Sequence, residues 1–551
     1  LADKHTEPPV LALAEDASAV VPLLGGHHGA NDLARQLADV LDASAAITTA
    51  GDLRLGVALD VPPAGWQLAP GQDIKSVVSA LLAGAPRSVD PELEFLSALG
   101  STASLPSSPA PTTPVTLRAD VQVHREQTDP HTLVYHPRQL IVGVGCDRGC
   151  PPEMLADLVR QTLSANNLAP EAIGALVSID RKADEAAVHA LAADLRVPAR
   201  FFSASDITAV ADLIPNPSDV VLREVGVPGV AEGAALAASA ALAAPKADAH
   251  IGARSGLRVE KYKNARATVA IADAGAPIDG NAVGRARGTL RVIGLGPGAP
   301  AWRTPAATAA LARASDWVGY GLYLDLAADC HHGQILHTFD LGAEEKRVRH
   351  AMLLAAEGRN VALICSGDAG IYAMAALVFE ALENANTVAP TPEAADWLRR
   401  IEIDVVPGVS AFQAAAARLG APIGHDFCCI SLSDLLTPWP AIEQRLHGAA
   451  VGDFVVSFYN PRSKARRTQL SDAMAILAAH RPPETPVAVA TNLGRPGEKI
   501  TVTTLAAFNP DIVDMLSLVM VGSSQSRKVD TPARSWIFTP RGYAAKAGSA
   551  L

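Results

Sequence analysis

Three segments of this chain place glycines directly after an apolar run that predicts a β-strand. They are residues 291–300 (RVIGLGPGAP), 361–374 (VALICSGDAGIYAM) and 401–412 (IEIDVVPGVSAF). Glycine allows a tight turn and leaves no side chain between the strand end and a ligand. The three turns therefore predict one crevice, lined by backbone, that binds a small molecule.

The first turn contains Gly294, Gly296, Pro297 and Gly298, and by itself it could belong to a dinucleotide-binding fingerprint. Pro297 lacks the N–H that a pyrophosphate cradle would use. The next predicted strand, 317–320, carries no carboxylate at its tip for a ribose hydroxyl. These features argue against a nicotinamide-dependent oxidoreductase, and a packing turn without a ligand remains an alternative.

The second and third turns carry polar side chains with two possible roles. In the second turn (Ser366, Gly367, Asp368, Gly370 and Ile371), Asp368 either caps the following helix or binds polar groups of a ligand. In the third turn, Ser410 precedes Ala411 and is either the N-cap of a helix over 411–419, a ligand contact, or both.

Predicted strands and helices alternate along the chain and would position these turns. In the first half, strands at 20–24, 46–49, 140–144 and 175–179 alternate with helices at 31–42, 152–165 and 186–195. This order predicts α/β layers with mostly parallel sheets. The Pro/Ser/Thr-rich segment 102–116 is interpreted as a surface connector that is neither helix nor central strand, and 274–288 as a linker between domains.

Length and composition narrow the class of protein. A chain of 551 residues predicts two or three domains. Mean hydropathy is +0.18, but no apolar run approaches the roughly 20 residues that a spanning helix needs. The net charge of −11 argues against nucleic acid as a partner. The six cysteines lack the spacing of metal ligands, which predicts reduced thiols and no metal site. The start of the chain shows no signal pattern, which predicts a cytoplasmic protein.

The chain from about 289 to 540 resembles the tetrapyrrole methylases, which use S-adenosylmethionine on corrin precursors. The three glycine turns carry this resemblance. The strings APIGHDF (421–427), ISLSDLLTPW (430–439) and FYNPRSKAR (458–466) are similar to the precorrin-3B C17-methyltransferases of cobalamin synthesis. The resemblance implies a two-subdomain α/β fold, a precorrin-type tetrapyrrole as substrate, ring contraction to precorrin-4, and a homodimer.

The resemblance also implies which residues bind the cofactor. They are the turn residues already named together with three later strand ends, at Tyr459, Asn460 and Asn492. Methyl transfer needs mainly positioning, whereas ring contraction needs a general base. The candidates for that base are His425, Asp426, Ser433 and Asp434. A buried structural histidine at 425 and a helix cap at 434 are the alternatives.

Further polar side chains in the second half of the chain either bind the substrate or lie on the surface without a functional role. Arg462, Lys464, Arg466 and Arg467 either dock the carboxylates of the substrate or form a solvated run. His331, His332 and His337 are interpreted as a surface loop.

The first half resembles cobalt-precorrin-5A hydrolase in strings such as PLLGGHHGANDLARQLAD (22–39) and VGVGCDRGCPPE (142–153). This resemblance implies a hydrolase-like module at 1–135 and 136–273, followed by the linker 274–288 and the methylase domain 289–540. No G-x-S-x-G elbow is present, so His27, His28, Asp147, Arg148 and Glu232 are only candidates. A binding role without catalysis, a non-catalytic corrinoid carrier and a cobalt-containing substrate remain open.

Overall fold

The computed structural model describes residues 10–25, 29–47, 55–97, 99, 113–123, 129–243, 256–463 and 465–543. The chain divides into two compact units, Leu1–Ala286 and Arg287–Leu551. Each unit has its own buried apolar clusters.

The described part of the first unit has twelve strands, which form three sheets, and seven α-helices. In chain order they are β1 (Val10–Leu13), β2 (Ala19–Leu24), α1 (Asn31–Leu41), β3 (Ser44–Ala45), β4 (Trp66–Leu68), α2 (Ile74–Leu82), β5 (Arg87–Val89), β6 (Val115–Ala119), β7 (Thr132–Pro137), β8 (Leu140–Cys146), α3 (Pro152–Ala165), β9 (Ile173–Ile179), α4 (Ala186–Leu195), β10 (Ala199–Phe202), α5 (Ala204–Thr208), α6 (Asp219–Val225), α7 (Val230–Ala243), β11 (Gly256–Lys263) and β12 (Ala267–Asp273).

The largest sheet of the first unit has the order β10-β9-β8-β12-β11. β8, β9 and β10 are parallel, whereas β12 and β11 are antiparallel to their neighbours. β9 is buried along its whole length and β8 along all but its last residue. Both strands are covered on two faces, which is why their sequences read as continuous apolar runs.

The segment 102–116 does not end as the sequence predicted. Val115 and Thr116 begin β6, which lies between β7 and β5 inside a four-stranded sheet, so the last two residues are part of a central strand. Residues 102–112 lie outside the described part of the chain. The predicted strand 46–49 is also displaced, because the observed strand is β3 and residues 48–54 are not described.

The described elements of the second unit form two larger sheets and a small one. They are β13 (Thr289–Gly294), α8 (Pro305–Arg313), β14 (Asp316–Tyr320), α9 (Gly321–Asp325), β15 (Ile335–Phe339), α10 (Glu344–Ala356), β16 (Asn360–Cys365), α11 (Met374–Glu383), α12 (Ala385–Val388), α13 (Pro392–Leu398), β17 (Glu402–Val406), α14 (Ala411–Leu419), β18 (Gly420–Ala421), β19 (Phe427–Ser431), α15 (Trp439–Val451), β20 (Val455–Tyr459), α16 (Gln469–Ala478), β21 (Pro486–Thr491), β22 (Lys499–Thr504), β23 (Ser517–Val521), β24 (Arg527–Asp530) and β25 (Ser535–Phe538).

The first sheet of this unit is entirely parallel, in the order β15-β14-β16-β13-β17. The second has the order β19-β20-β23-β21-β22, with β19 and β20 parallel and the remaining pairs antiparallel. β18, β25 and β24 form the small sheet. The predicted α/β class with two subdomains in this part of the chain is confirmed.

Within the described residues, no single helix is long and apolar enough to cross a membrane, although α6 and α7 together meet those criteria as a pair bent by 74°. All six cysteines are free. Burial raises the pKa of every one of these thiols.

Candidate functional site

The three glycine turns meet at the carboxyl edge of the parallel sheet, because β16, β13 and β17 are adjacent strands. Gly296 N–H donates to the Gly367 carbonyl at 3.0 Å, and Gly367 N–H donates to the Gly296 carbonyl at 2.8 Å. In open α/β sheets this edge is where ligands bind. The structure therefore brings the three predicted turns into one place.

Packing between the turns explains why several of these positions are glycine. A Cβ on Gly408 would lie 2.3 Å from the Gly367 carbonyl oxygen, and one on Gly294 would lie 2.6 Å from that same oxygen. Gly296 also has a φ of +82°, which disfavours other residues. The first turn, Gly294–Gly298, is buried throughout. These glycines hold backbone against backbone, and their contact with a cofactor stays a prediction.

Asp368 ties the second turn to the third. Its Oδ1 accepts the Gly370 N–H at 2.8 Å and its Oδ2 accepts the Gly408 N–H at 3.1 Å. The helix that follows starts only at Met374, with Ala373 as its N-cap. The alternative of a helix-capping aspartate is therefore wrong, because the carboxylate bonds turn backbone instead.

Arg495 connects the second sheet to the first two turns. This residue follows β21, and sequence reasoning did not identify it. Its Nε donates to the Pro297 carbonyl at 2.9 Å, and its guanidinium donates to Ser366 Oγ at 2.8 Å. Asn492 forms the turn that leads from β21 to Arg495. It has a left-handed φ of 52°, and its carbonyl accepts the Arg495 N–H at 3.0 Å.

An apolar wall lies beside these turns. Ile371, Ala411 and Tyr459 pack against one buried cluster. Tyr459 Oη accepts the Phe412 N–H at 3.2 Å, and burial raises the pKa of Tyr459 to about 12, so its hydroxyl keeps its proton at neutral pH. Ser410 is the N-cap of α14 in a capping box with Gln413. The capping role of Ser410 is thus observed, while ligand contact stays a prediction.

Tyr372 was also missed, although it directly follows the second turn. It has a φ of 52°, a conformation that costs a non-glycine residue about 1–2 kcal/mol. Its hydroxyl donates to the Cys429 carbonyl at 2.8 Å, and its ring lies 5.1 Å from that of Tyr459. The chain holds this exposed ring at the edge of the site at a conformational cost.

A polar network lies at the ends of β19 and β20. The guanidinium of Arg466, which is 7% exposed, donates to Ser433 Oγ at 2.9 Å and to the Asn460 carbonyl at 3.0 Å, and its Nε lies 3.6 Å from Asp434. Asp434 also accepts from Gln469 at 2.9 Å. The next helix begins at Trp439, so Asp434 is not a helix cap.

The four predicted catalytic residues are not all brought together. Ser433 and Asp434 follow β19, whereas His425 and Asp426 precede it and line a separate cavity of about 320 Å³. Five residues of strand separate the two pairs by about 16 Å. His425 is exposed rather than buried, and its Nδ1 lies 3.1 Å from the Asp426 carboxylate. The strand β19 thus separates the four candidates into two pairs, and which of them acts as the base stays a prediction.

The basic run is likewise divided. Arg466 belongs to the polar network, whereas Arg462 pairs with Asp511 at 2.9 Å and Lys464 is not described. The histidine interpretation needs one correction, because His337 lies on β15 rather than in a loop. Its Nε2 is 2.9 Å from the buried Asp316 carboxylate.

A nicotinamide-binding site would need a carboxylate at the carboxyl end of β14 to bind a ribose hydroxyl. The carboxylate of this strand, Asp316, lies at its start instead. The nicotinamide alternative therefore finds no support in this part of the fold. Among the described residues, no group of three or more His, Cys, Asp or Glu side chains is arranged to hold a metal ion.

Three of the five candidates of the first unit lie around one cavity. His27 and His28 lie outside the described residues, while Asp147, Arg148 and Glu232 line one cavity of about 590 Å³.

Sequence comparisons define the family. Residues 289–509 match the tetrapyrrole (corrin/porphyrin) methylases, residues 140–272 match the cobalamin synthesis G C-terminus, and residues 1–52 match the cobalamin synthesis G N-terminal family. The chain belongs to the tetrapyrrole methylases, with a cobalamin synthesis G-like module ahead of the methylase part.

Individual relatives agree with this assignment. The chain is 44% identical to a probable cobalt-factor III C(17)-methyltransferase of Salmonella typhimurium, and the match covers 46% of this chain and 99% of the relative. It is 41% identical to a precorrin-3B C(17)-methyltransferase of a Sinorhizobium species, over 47% of this chain and 98% of the relative.

Longer relatives and a solved structure were also found. Cobalamin biosynthesis protein CobIJ of Mycobacterium tuberculosis is 42% identical over 46% of this chain, and the chain spans only 48% of that relative's length. A crystal structure of the methyltransferase CobJ is 42% identical, with a TM-score of 0.42, and the match covers 46% of this chain and 100% of CobJ.

Proposed function

We propose that the second unit methylates precorrin-3B at C-17, using S-adenosylmethionine, and contracts the macrocycle to precorrin-4 in cobalamin biosynthesis. The observation that carries this proposal is the match to two C(17)-methyltransferases over nearly their full lengths. The convergence of three glycine turns at one carboxyl edge supports it independently.

The residues at this edge fit a sulfonium cofactor. The second turn is only partly buried, and a Cβ on Gly367 would have no neighbour nearer than 3.9 Å, so backbone there is open to a ligand. The polar parts of the cofactor would contact Asp368, and its apolar parts would contact Ile371, Ala411 and Tyr459. The other cofactor-binding residues predicted from the sequence would lie around these four. When bound, S-adenosylmethionine supplies an electrophilic methyl group that an electron-rich ring carbon can take directly.

The side chains of the protein mainly position the reactants. Arg495 fixes the first two turns relative to the second sheet, and the apolar wall excludes water from the methyl group. For ring contraction we assign the proton transfer to Asp434, with Ser433 beside it. The buried Arg466 holds both residues in place.

A second candidate is the cobalt-containing substrate, with lactone hydrolysis by the first unit. The name of the Salmonella relative and the cobalamin synthesis G matches favour it. We further propose a cytoplasmic homodimer without a nucleic-acid or membrane partner.

The test is incubation of the purified chain with S-adenosylmethionine carrying a labelled methyl group and either precorrin-3B or cobalt-factor III. Mass spectrometry should find one transferred methyl group and a contracted ring with the metal-free substrate. Transfer only to the cobalt compound would favour the second candidate. Tight binding of either tetrapyrrole without transfer would identify a carrier and refute the proposed activity.

A further inference from the structure

The first unit contains a cavity of about 590 Å³ whose lining residues all lie between Gly145 and Thr268, outside the proposed methylation site. It opens at the carboxyl ends of β8 and β9, beside Cys146 and Ile179, and at the first turn of α7. A Cβ on Gly143 would lie 2.0 Å from the Ala231 carbonyl oxygen, so α7 packs directly on β8. The fold therefore places a helix start over the edge of parallel strands, a common position for a ligand.

The lining is positive although the chain is acidic. Six cationic residues line the cavity, namely Arg148, Arg181, Lys182, Lys261, Lys263 and Arg266, against three carboxylates, Asp147, Glu224 and Glu232. The difference is a net charge of about +3 in a chain whose net charge is −11. Val221, Val225 and Val230 complete an apolar wall. A positive lining with an apolar wall fits an organic anion better than a bare inorganic one.

The cations differ in how far they are already engaged. Arg148 pairs with Asp184 at 2.7 Å, and Arg181 donates to the Glu224 carbonyl at 3.1 Å. The Lys263 side chain is exposed, and its ammonium has no hydrogen-bond or ion-pair partner among the described residues. It is the cation with most freedom to meet a ligand.

Glu232 is the unusual group in this lining. It is 1% exposed, and its Oε1 accepts from Asn216 at 2.9 Å and from the Lys261 N–H at 3.1 Å. Its Oε2 has no hydrogen-bond partner within the described structure. A buried carboxylate oxygen without a donor is costly, and a ligand that brings a donor would relieve that cost.

Cys146 does not supply a nucleophile here. Burial raises the pKa of its thiol to about 12, which keeps it protonated at neutral pH. Recognition rather than covalent chemistry is what this lining supports.

We propose that this cavity binds an organic polycarboxylate that also carries a hydroxyl or N–H donor. Lys263 and the neighbouring cations contact the carboxylates, the valines contact the carbon skeleton, and Glu232 Oε2 accepts from the donor. The ligand is either a small free acid or the carboxylate arms of a larger molecule. This proposal does not depend on the methyltransferase activity.

The test is isothermal titration calorimetry of the full chain with citrate, tricarballylate and inorganic phosphate. Citrate and tricarballylate differ by one hydroxyl. We expect one citrate per chain, about tenfold weaker tricarballylate binding because the hydrogen bond to Glu232 is missing, and weaker phosphate binding still. Equal affinity for all three would overturn the proposal, because it would indicate a non-specific anion patch.

Variants locate the binding. Lys263→Ala should weaken citrate and tricarballylate alike by about threefold to tenfold, whereas the exposed Lys75→Ala in the same unit should change neither. Glu232→Gln should remove the preference for citrate. Unchanged citrate affinity in Lys263→Ala would place the ligand elsewhere and refute the proposal, even if Glu232→Gln fails to fold.

A competition experiment identifies the source of the carboxylates. Uroporphyrin III, with eight carboxylates, should displace citrate from the wild type, and less so from Lys263→Ala, if the cavity holds the arms of a macrocycle. Failure of uroporphyrin III to displace bound citrate would support a small free acid.

Discussion

At the scale of single residues, Arg495 is the side chain that links the first two glycine turns to the second sheet. Its guanidinium satisfies the Pro297 carbonyl and Ser366 Oγ together. Hydrogen bonds from a charged group contribute about 1.5–3 kcal/mol each. The position of the first two turns therefore depends on a residue about 130 positions away from the second turn.

Replacing Arg495 with alanine should weaken S-adenosylhomocysteine binding by about tenfold, because the two turns lose their common donor. Calorimetry on the purified variant measures this change. Arg399→Ala removes an exposed arginine that pairs with Asp396, and it should leave the affinity unchanged. Equal affinity in the two variants would show that Arg495 does not position the site.

A second residue-scale feature is the chain of hydrogen bonds from Asp316 through His337 to His350. His337 Nδ1 and His350 Nε2 lie 2.9 Å apart. Burial, followed by the charge of His337, lowers the pKa of His350. Burial alone would raise the pKa of Asp316, but hydrogen bonds from His337, Ser315 and Arg359 outweigh it and leave that pKa lowered.

These shifts predict that acid destabilises the fold. Below an unfolded-state pKa of about 6.5 the unfolded chain binds a proton that the folded His350 resists, so stability falls as pH drops. The contribution of Asp316 is lost only at much lower pH. His350→Asn should therefore reduce, by about 2 °C, the fall in unfolding temperature between pH 7.5 and 5.5. The exposed His447→Asn serves as the control, and an identical pH profile for wild type and His350→Asn would contradict the assignment.

At the scale of elements, the glycine turns are rigid because they pack on one another. Gly408→Ala should lower the free energy of unfolding by about 3 kcal/mol, since the new methyl group meets the carbonyl oxygens of Gly367 and Gly294. Gly448→Ala is the matched control. It lies within α15, where a Cβ meets nothing within 4 Å, and it should stabilise by about 0.5–1 kcal/mol.

Urea denaturation of both glycine variants, followed by circular dichroism, distinguishes them. If Gly408→Ala proved as stable as the wild type, the close packing of the three turns would be wrong.

The positions of helices and strands were largely predictable from the sequence, whereas several contacts between residues distant in the chain were not. Helix α14 begins and ends where its Ser cap and apolar pattern predicted, because capping and periodicity are local signals. The apolar run of β16 likewise predicted a buried strand. Arg495 and Tyr372 gave no local signal, since their roles come from contacts made only after folding. The separation of His425 from Ser433 by β19 also gave no clear signal in the sequence, and the catalytic role of His425 stays a prediction.

At the scale of the whole molecule, the second unit carries its own sheets and buried clusters. The segment before it bonds to the first unit, with Ala274 N–H donating to the Gln139 carbonyl and Arg285 pairing with Phe201 backbone. A fragment of residues 287–551 should therefore fold cooperatively and bind S-adenosylhomocysteine within about threefold of the full chain. Thermal unfolding and calorimetry check this, and a fragment without a cooperative transition would contradict it.

The raised pKa of all six thiols has a consequence for handling the protein. Only the thiolate reacts quickly with oxidants and alkylating agents, and here each thiol holds its proton more tightly than free cysteine does. The folded chain should survive storage in air without forming cross-linked dimers, and iodoacetamide should modify it rapidly only after denaturant is added. The rate at which iodoacetamide modifies each cysteine should therefore report how fast the region around that cysteine unfolds.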